Sequence, residues 1–397
     1  MDLLEPVIKP YAWGSRHAIA ELQERAAPSK GPEAELWMGA HPGGPSGVRC
    51  DGIRTTLDQV LSADPTGTLG RDNVERFGPR LPFLLKVIAA EKPLSIQVHP
   101  DRQQAKAGFR AENERGLAPD DRTRNYVDDW PKPELVYTLT PFEALAGFRT
   151  SRDAADLLDE LHLEELRPLT ETLRTGDGTA ARTATLRRIL TWPRPDRAAF
   201  LERVVTACNH VAAAGGRYAA ACDVATRIAE DHPDDLGIVA SLLLCHVQLP
   251  PGEALFMPAG GVHAYVKGVG VEVLANSDNV LRAGLTGKHV DVDELLRISA
   301  PDVPVPVLSP VKAGEGISVY DAPVPEFGLG VVTLAGRRTA VPMKGPRILL
   351  CLEGAATVHG TSGDQLALTR GASCFVAASE GPVTVDGNAL LVVANTE

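Results

Sequence analysis

Read in order, the apolar and polar positions of the chain change texture three times. Residues 1–150 carry short apolar runs broken by Gly and Pro, among them LPFLLKVIAA and ELVYTLTPFEALAGF, and these predict the strands of an all-β unit. From Ser151 to Asp235 the spacing becomes helical. In SRDAADLLDELHLEEL, Ala154, Leu157, Leu158 and Leu161 share a helix face behind a Ser N-cap. TAARTATLRRILTW, DRAAFLERVVTACNHVAAA and RYAAACDVATRIAEDH repeat that character, so a compact insertion of four helices is expected. Strand texture returns at SLLLCHVQLPPGEALFMPAGGVHAYVKGVGVEVLANS, and the Pro-rich APDVPVPVLSPV (300–311) then predicts a linker or an extended crossing. The remainder, 312–397, shows short strands and Gly turns about every 8–12 residues, the rhythm of a sandwich or barrel. Its PRILLCLEGAATVHG and LTRGASCFVAA run parallel to CHVQLPPGEALFMPAGGVHAYV, which predicts a second, degenerate jelly roll. The expected architecture is mainly β with a helical insertion. One jelly roll is split over 1–150 and 236–311 around an all-α unit at 151–235, and a β unit follows at 312–397.

Composition narrows the function more than the fold. At 397 residues, two or three domains of about 100–200 residues each are expected. With 44% hydrophobic and 23% charged residues the balance is that of a soluble globular protein. Only 5% of residues are aromatic, too few for broad base-stacking platforms, and the net charge of −11 repels a polyanion, so no nucleic-acid partner is expected. A small anion remains possible, because a few local Lys and Arg residues outweigh a global charge. MDLLEPVIKPYAWG has no basic segment followed by an apolar one, and no window reaches the roughly 18 apolar residues of a membrane span. The six cysteines form no C-x-x-C pair and suit reduced thiols. A cytoplasmic monomer is the expectation.

Four stretches carry groups able to do chemistry. In KPLSIQVHPD, Gln97 and His99 project from one strand face while Leu94, Ile96 and Val98 take the other. Alone, the pair fits hydrogen-bonded side chains on a half-buried strand. In KPELVYTL, Lys132 and Glu134 share parity if the strand begins that early; alone, they fit a surface ion pair. PGEALFMPAGGVHAYVKG reads as a hairpin-like unit with His263 just past its turn and Tyr265 two residues on. It is similar to the cupin hairpin that points one His inward to a metal, and alone it fits a satisfied core His. In GVGVEVLANSDNVLRAGLTGKHVDV, Glu272, Asn276, Ser277, Asp278, Asn279, Arg282 and Lys288 crowd an apolar context. That cluster suits sugar hydroxyls and a phosphate, or a solvated loop.

Taken together these stretches resemble the type I mannose-6-phosphate isomerases of the cupin superfamily. The order is Tyr11-x-Trp13-Gly14-Ser15, ELWMGAHPGGPS, LPFLLKVIAAEKPLSIQVHPD, KPEL, then LFMPAGGVHAYVKG and GVEVLANSDNVLRAGLTGKHVDV. The resemblance covers residues 1–300 and reaches the C-terminal segment only by texture. It implies a bicupin fold and one zinc ion per chain held by Gln97, His99, Glu134 and His263. It further implies a catalytic Arg282 and Lys132, with Ser95, Lys86, Tyr265, Glu272, Asp278 and Lys288 near the substrate. One departure stands out: the family commonly has His before the KPE, and Pro131 stands here.

The implied reaction interconverts mannose 6-phosphate and fructose 6-phosphate, moving a proton between C2 and C1 through a cis-enediol(ate). Arg282, permanently cationic and fork-shaped, suits either the enediolate or the phosphate. Lys132 is a base only if a metal cation and burial lower its pKa. A non-catalytic sugar-binding cupin and an isomerase for a related sugar phosphate stand as alternatives. The lone His359 of the last segment predicts no second metal there.

Overall fold

The computed structural model describes residues 1–50 and 52–396, with the side chain of Cys50 and the terminal Glu397 outside the described residues. Nine strands precede the helical segment: β1 (Asp2–Leu3), β2 (Val7–Lys9), β3 (Glu35–Met38), β4 (Gly47–Cys50), β5 (Ile53–Thr56), β6 (Phe83–Ala90), β7 (Gln97–Val98), β8 (Glu134–Thr138) and β9 (Phe142–Phe148). Five follow it: β10 (Leu244–Leu249), β11 (Ala254–Met257), β12 (His263–Ala275), β13 (Leu281–Arg282) and β14 (Val307–Leu308). The last eight are β15 (Val311–Gly314), β16 (Ile317–Tyr320), β17 (Gly328–Ala335), β18 (Thr339–Val341), β19 (Arg347–His359), β20 (Gln365–Thr369), β21 (Ser373–Val376) and β22 (Val383–Asn395).

The long strand β12 organises the first half of the molecule. Its start, His263–Lys267, pairs with β9 and, at His263, with β7, while Gly268–Ala275 lies between β6 and β8. One strand thus belongs to two facing layers, β13-β7-β12-β9-β10 and β14-β11-β8-β12-β6-β3-β2. The alternation of β6 shows how the layers separate. Phe83, Leu85, Val87 and Ala89 face outward into one core, while Ile88 and Ala90 face the inter-layer core with Val136, Phe142, Leu255 and Tyr265. Lys86 shares the inward face and is the only charge on an otherwise apolar strand that is buried throughout.

Each outer face is covered. The β7 side, through Ile96, Val98, Leu145, Ala264 and Leu281, packs on the helices. The β6 side packs on the nine-stranded sheet β1-β21-β19-β22-β17-β16-β15, in one core with Tyr320, Phe327, Leu329, Ile348, Phe375 and Val392. β18 and β20 extend that sheet by pairing β22 and β19. β1 joins it from the far end of the sequence, facing β21 as Asp2 to Phe375 and Leu3 to Cys374. The segment 300–311 is an extended crossing whose β14 pairs with β11.

Several expectations require correction. Residues 1–150 are not all β: they hold α1 (Ala18–Leu22), α2 (Leu57–Ala63), α3 (Pro65–Leu69), α4 (Arg71–Phe77) and α5 (Arg102–Glu114), the last opened by an Asp101–Gln104 capping box. The helical segment has five α-helices among the described residues rather than four: α6 (Ser151–Glu160), α7 (Arg167–Thr175), α8 (Gly178–Leu190), α9 (Arg197–Ala214) and α10 (Ala219–Asp231). Thr150, not Ser151, caps α6, accepting from the Asp153 N–H. α6 stops where His162 takes φ +53°, and Pro168 opens the separate α7. α11 (Gly237–Ser241) and α12 (Val292–Ile298) complete the α-helices among the described residues. β11 and β12 do not form a hairpin, because β11 pairs with β8 and β14 instead. β8 begins at Glu134, so Lys132 lies outside it. Among the described residues no helix is long and apolar enough to cross a membrane, and the five described cysteines are free.

Candidate active site and metal centre

The inter-layer space is apolar at one end and charged at the other, and the charged end gathers most of the residues singled out above. His99 follows β7, Glu134 opens β8 and His263 opens β12, so three strand ends converge. Their ligand atoms lie within 4.8 Å of one another, and all three residues are buried. His99 Nε2 stands 3.4 Å from one Glu134 oxygen, and His263 Nε2 stands 3.2 Å from the other. Each imidazole is oriented from behind: His99 Nδ1 lies 2.8 Å from the Asn279 carbonyl and His263 Nδ1 lies 3.0 Å from the Gly261 carbonyl. A carbonyl only accepts, so both Nδ1 atoms donate, and in the neutral imidazole each Nε2 then carries the lone pair, on the side of the carboxylate.

The residues fit a metal. Among the described residues His99 Nε2 is a buried nitrogen that makes no hydrogen bond, with the Glu134 oxygen 3.4 Å away, a costly arrangement unless a Lewis acid occupies its lone pair. Burial pushes the His99 imidazole down to about 4, which keeps it neutral and able to ligate a metal. Burial works against the Glu134 charge, yet Lys132 and His99 hold the carboxyl well below the usual range. Two imidazole nitrogens and a carboxylate are a donor set suited to a divalent borderline ion such as zinc. Gln97 stands beside the set by register: it pairs with His263 on one side and Arg282 on the other. Directly opposed residues of neighbouring strands share a face, so His263, Gln97 and Arg282 form one row. The Gln97 amide nitrogen donates to Ser95 Oγ at 3.2 Å, which leaves its oxygen available.

Lys132 Nζ is buried and lies 3.1 Å from Glu134. A second chain of charges runs along the row Trp37, Lys86, Glu272 of β3, β6 and β12. Lys86 Nζ is 3.3 Å from Glu272 and 3.7 Å from Glu35, the Tyr265 hydroxyl donates to Glu272 at 2.8 Å, and the Trp37 indole donates to Glu35 at 2.5 Å. Burial opposes the Lys86 charge, but Glu35 and Glu272 outweigh it and raise its pKa. Burial and the Glu134 charge raise Glu272 and, with Glu272 itself, Tyr265. Asp278 is half-exposed and stands 3.4 Å from His41 Nε2; burial opposes its charge, but His41, Lys132 and Lys86 hold it at about 2.

Arg282 and Lys288 differ from the other cations. Neither has a carboxylate partner among the described residues. Arg282 is half-buried, its guanidinium donating weakly to the Val280 carbonyl at 3.4 Å, and desolvation lowers its pKa. Lys288 sits at the exposed rim and is lowered by partial burial and by Arg282. Two unneutralised cations repelling each other are a place for an anion.

Not every polar residue of the 268–292 stretch faces this space. Asn279 is fully buried and spends its side chain on the chain itself: its oxygen accepts from the Val127 and Asp128 N–H groups, and its nitrogen donates to the Asp128 and Trp130 carbonyls. Ser277 is likewise bound to Asp128. These two position the Trp130–Glu134 segment and His99. Glu35, Trp37 and His41 belong to the ELWMGAHPGGPS motif, yet nothing in its local pattern attached a role to them. Pro131 is buried and offers no titratable group; His41, from another element, is an imidazole against Asp278 in the same neighbourhood.

Comparison with known proteins covers almost the whole chain. Residues 1–151 match the family model of the phosphomannose isomerase type I catalytic domain, and residues 318–396 match that of the mannose-6-phosphate isomerase cupin domain. The chain is 38% identical to the mannose-6-phosphate isomerase of Escherichia coli (strain K12) over 397 residues, 98% of either chain. It is similar, at a TM-score of 0.92 and 36% identity, to a crystal structure of a phosphomannose isomerase variant from Salmonella typhimurium, covering 100% of this chain and 99% of that one. A crystal structure of a holo, zinc-bound mannose 6-phosphate isomerase matches with a TM-score of 0.90 and 36% identity over the same shares.

Proposed function

Since this chain belongs to the type I mannose-6-phosphate isomerases, we propose a specific division of labour among its residues. It is an isomerase and zinc is its metal. Its reaction interconverts mannose 6-phosphate and fructose 6-phosphate by transferring a proton between C2 and C1 through a cis-enediol(ate). Gln97, His99, Glu134 and His263 hold one zinc ion. Bound there, the ion supplies Lewis-acid stabilisation of negative charge on the sugar oxygens.

The remaining steps fall to this chain's own groups. Lys132, buried against Glu134, handles the proton at C1 and C2. Arg282 and Lys288 take the phosphate, since both lack a carboxylate partner among the described residues and Arg282 shares the row of Gln97 and His263. Lys86, Glu272 and Tyr265 form a mutually bonded wall that presents fixed donors to the sugar hydroxyls, and Ser95 orients Gln97. Asp278, held by His41, hydrogen-bonds the substrate at the rim, and this pair supplies the titratable imidazole that Pro131 cannot. The architecture that supports this is read as a bicupin, a split catalytic jelly roll and a C-terminal one around an all-α unit, acting as a monomer.

The observation that carries the reading is the buried His99 Nε2, without a hydrogen bond among the described residues and facing Glu134 and His263. The test is direct. Zinc-loaded protein incubated with mannose 6-phosphate yields fructose 6-phosphate, chelation stops the reaction, and zinc restores it. Binding of the sugar phosphate without turnover by zinc-loaded protein overturns the proposal in favour of a sugar-binding cupin.

A further inference from the structure

The turn that ends the helical segment reaches into the loop that follows Arg282. Asp235 accepts from the Gly237 N–H at 2.7 Å with one oxygen and from the Thr286 N–H at 3.1 Å with the other. The first bond closes its own turn; the second crosses to the loop between β13 and Lys288. The contact is close. A Cβ on Gly284 would come within 2.7 Å of Asp235 Oδ1 and 2.8 Å of Gly237 Cα, and Gly284 itself holds φ +123°, so no other residue fits there without displacement.

The loop needs holding. Leu285 takes φ +57°, an unfavourable conformation for a bulky side chain, and is nonetheless buried, with its Cγ and one methyl over Gly237. On its other side the loop is tied to the segment before Gln97, through Ala283 N–H to the Ile96 carbonyl and Ile96 N–H to the Gly284 carbonyl. Thr286 Oγ1 then receives the Lys288 N–H at 3.1 Å. The chain therefore passes from Arg282 through a strained turn pinned by Asp235 to Lys288.

We propose that Asp235 is a positioning residue for substrate affinity: it fixes the Ala283–Lys288 loop so that Arg282 and Lys288 meet a phosphate together. The inference rests on the reading of those two cations as the phosphate site. It gives the helical segment a part in the reaction, as the anchor of the anion loop.

Asp235→Ala is compared with the unaltered zinc-loaded enzyme in steady-state kinetics, with inorganic phosphate as competing inhibitor. The expected result is a rise of roughly tenfold in KM for mannose 6-phosphate and a parallel rise in the inhibition constant of phosphate, with kcat and zinc content little changed. Hydrogen exchange quickens in the peptide spanning 284–288. Asp235→Asn, which keeps an acceptor for Gly237, shifts the same quantities less and covers the case in which the alanine variant fails to fold. A lowered melting temperature with unchanged KM and phosphate inhibition makes Asp235 merely structural and overturns the inference, as does a fall in kcat alone. Arg282→Ala and Lys288→Ala test the underlying reading: if both leave phosphate inhibition intact, the phosphate assignment fails. If they weaken it and the Asp235 variants do not, only the role of Asp235 fails.

Discussion

Removing either imidazole from the His99–Glu134–His263 triangle takes away a neutral nitrogen already oriented by a backbone carbonyl. His99→Ala and His263→Ala are each expected to lose most of the zinc, since an ion held by few ligands loses affinity steeply with any one of them. Elemental analysis of the purified variants checks this, and full occupancy in both sinks the ligand assignment. The i, i+2 spacing draws attention to Gln97–His99 and Lys132–Glu134, but strand parity is not what joins them. β7 ends at Val98 and β8 begins at Glu134, so His99 and Lys132 stand just outside the strands, and Lys132 meets Glu134 as an ion pair. Asn279 was not visible in its true role. Within the sequence it looks like one more polar group beside a pocket, but its side-chain bonds go to residues 127, 128 and 130, and nothing local marks partners so far away.

At the scale of elements, Glu143 on β9 joins three pieces. It accepts from Arg227 of α10 at 2.8 Å and lies 2.7 Å from His246 Nε2 of β10. Burial opposes its charge, but His246 and Arg227 together hold it at about 2, against an ordinary value of 4.5. A depressed carboxyl contributes stability that is fully present above the ordinary value and lost as pH falls toward the folded one. Glu143→Gln should therefore cost on the order of 1–3 kcal/mol at neutral pH, a difference that shrinks below about 4.5. Denaturant unfolding of both proteins across that range measures it; a gap that stays constant or widens in acid refutes the pairing. The helices around this anchor were readable from their apolar spacing. Their number was not, because the break at His162 depends on one residue's φ. The apparent hairpin of β11 and β12 failed for a related reason: turn residues show where a strand ends, and pairing with β8 and β14 is decided across the sheet.

Across the whole molecule, the C-terminal sheet is bound to the rest by more than a linker. Tyr320 donates to the Gly252 carbonyl at 2.6 Å, Thr396 donates to Asn73 at 3.2 Å, and Glu326, almost fully buried, receives Arg102, whose guanidinium lies 5.1 Å from the Trp130 ring. With the shared core, these contacts predict that a chain ending at Gly316 is neither soluble nor active, because its sheet would expose Leu85, Val87, Phe256 and Val273 to water. A soluble, zinc-loaded and active fragment disproves this. The turn rhythm announced the C-terminal unit, but β1 could not be placed by it, since two residues at the start carry no mark of a partner at 374–375. That pairing also sets an order in time. At the ~5–20 residues per second of synthesis, β1 emerges roughly 20–70 s before the strand it will pair with. Through that interval the nascent chain carries an unpaired edge at its start and, later, an uncovered apolar sheet. A ribosome that stalls before Ser373 therefore releases a protease substrate rather than a smaller enzyme.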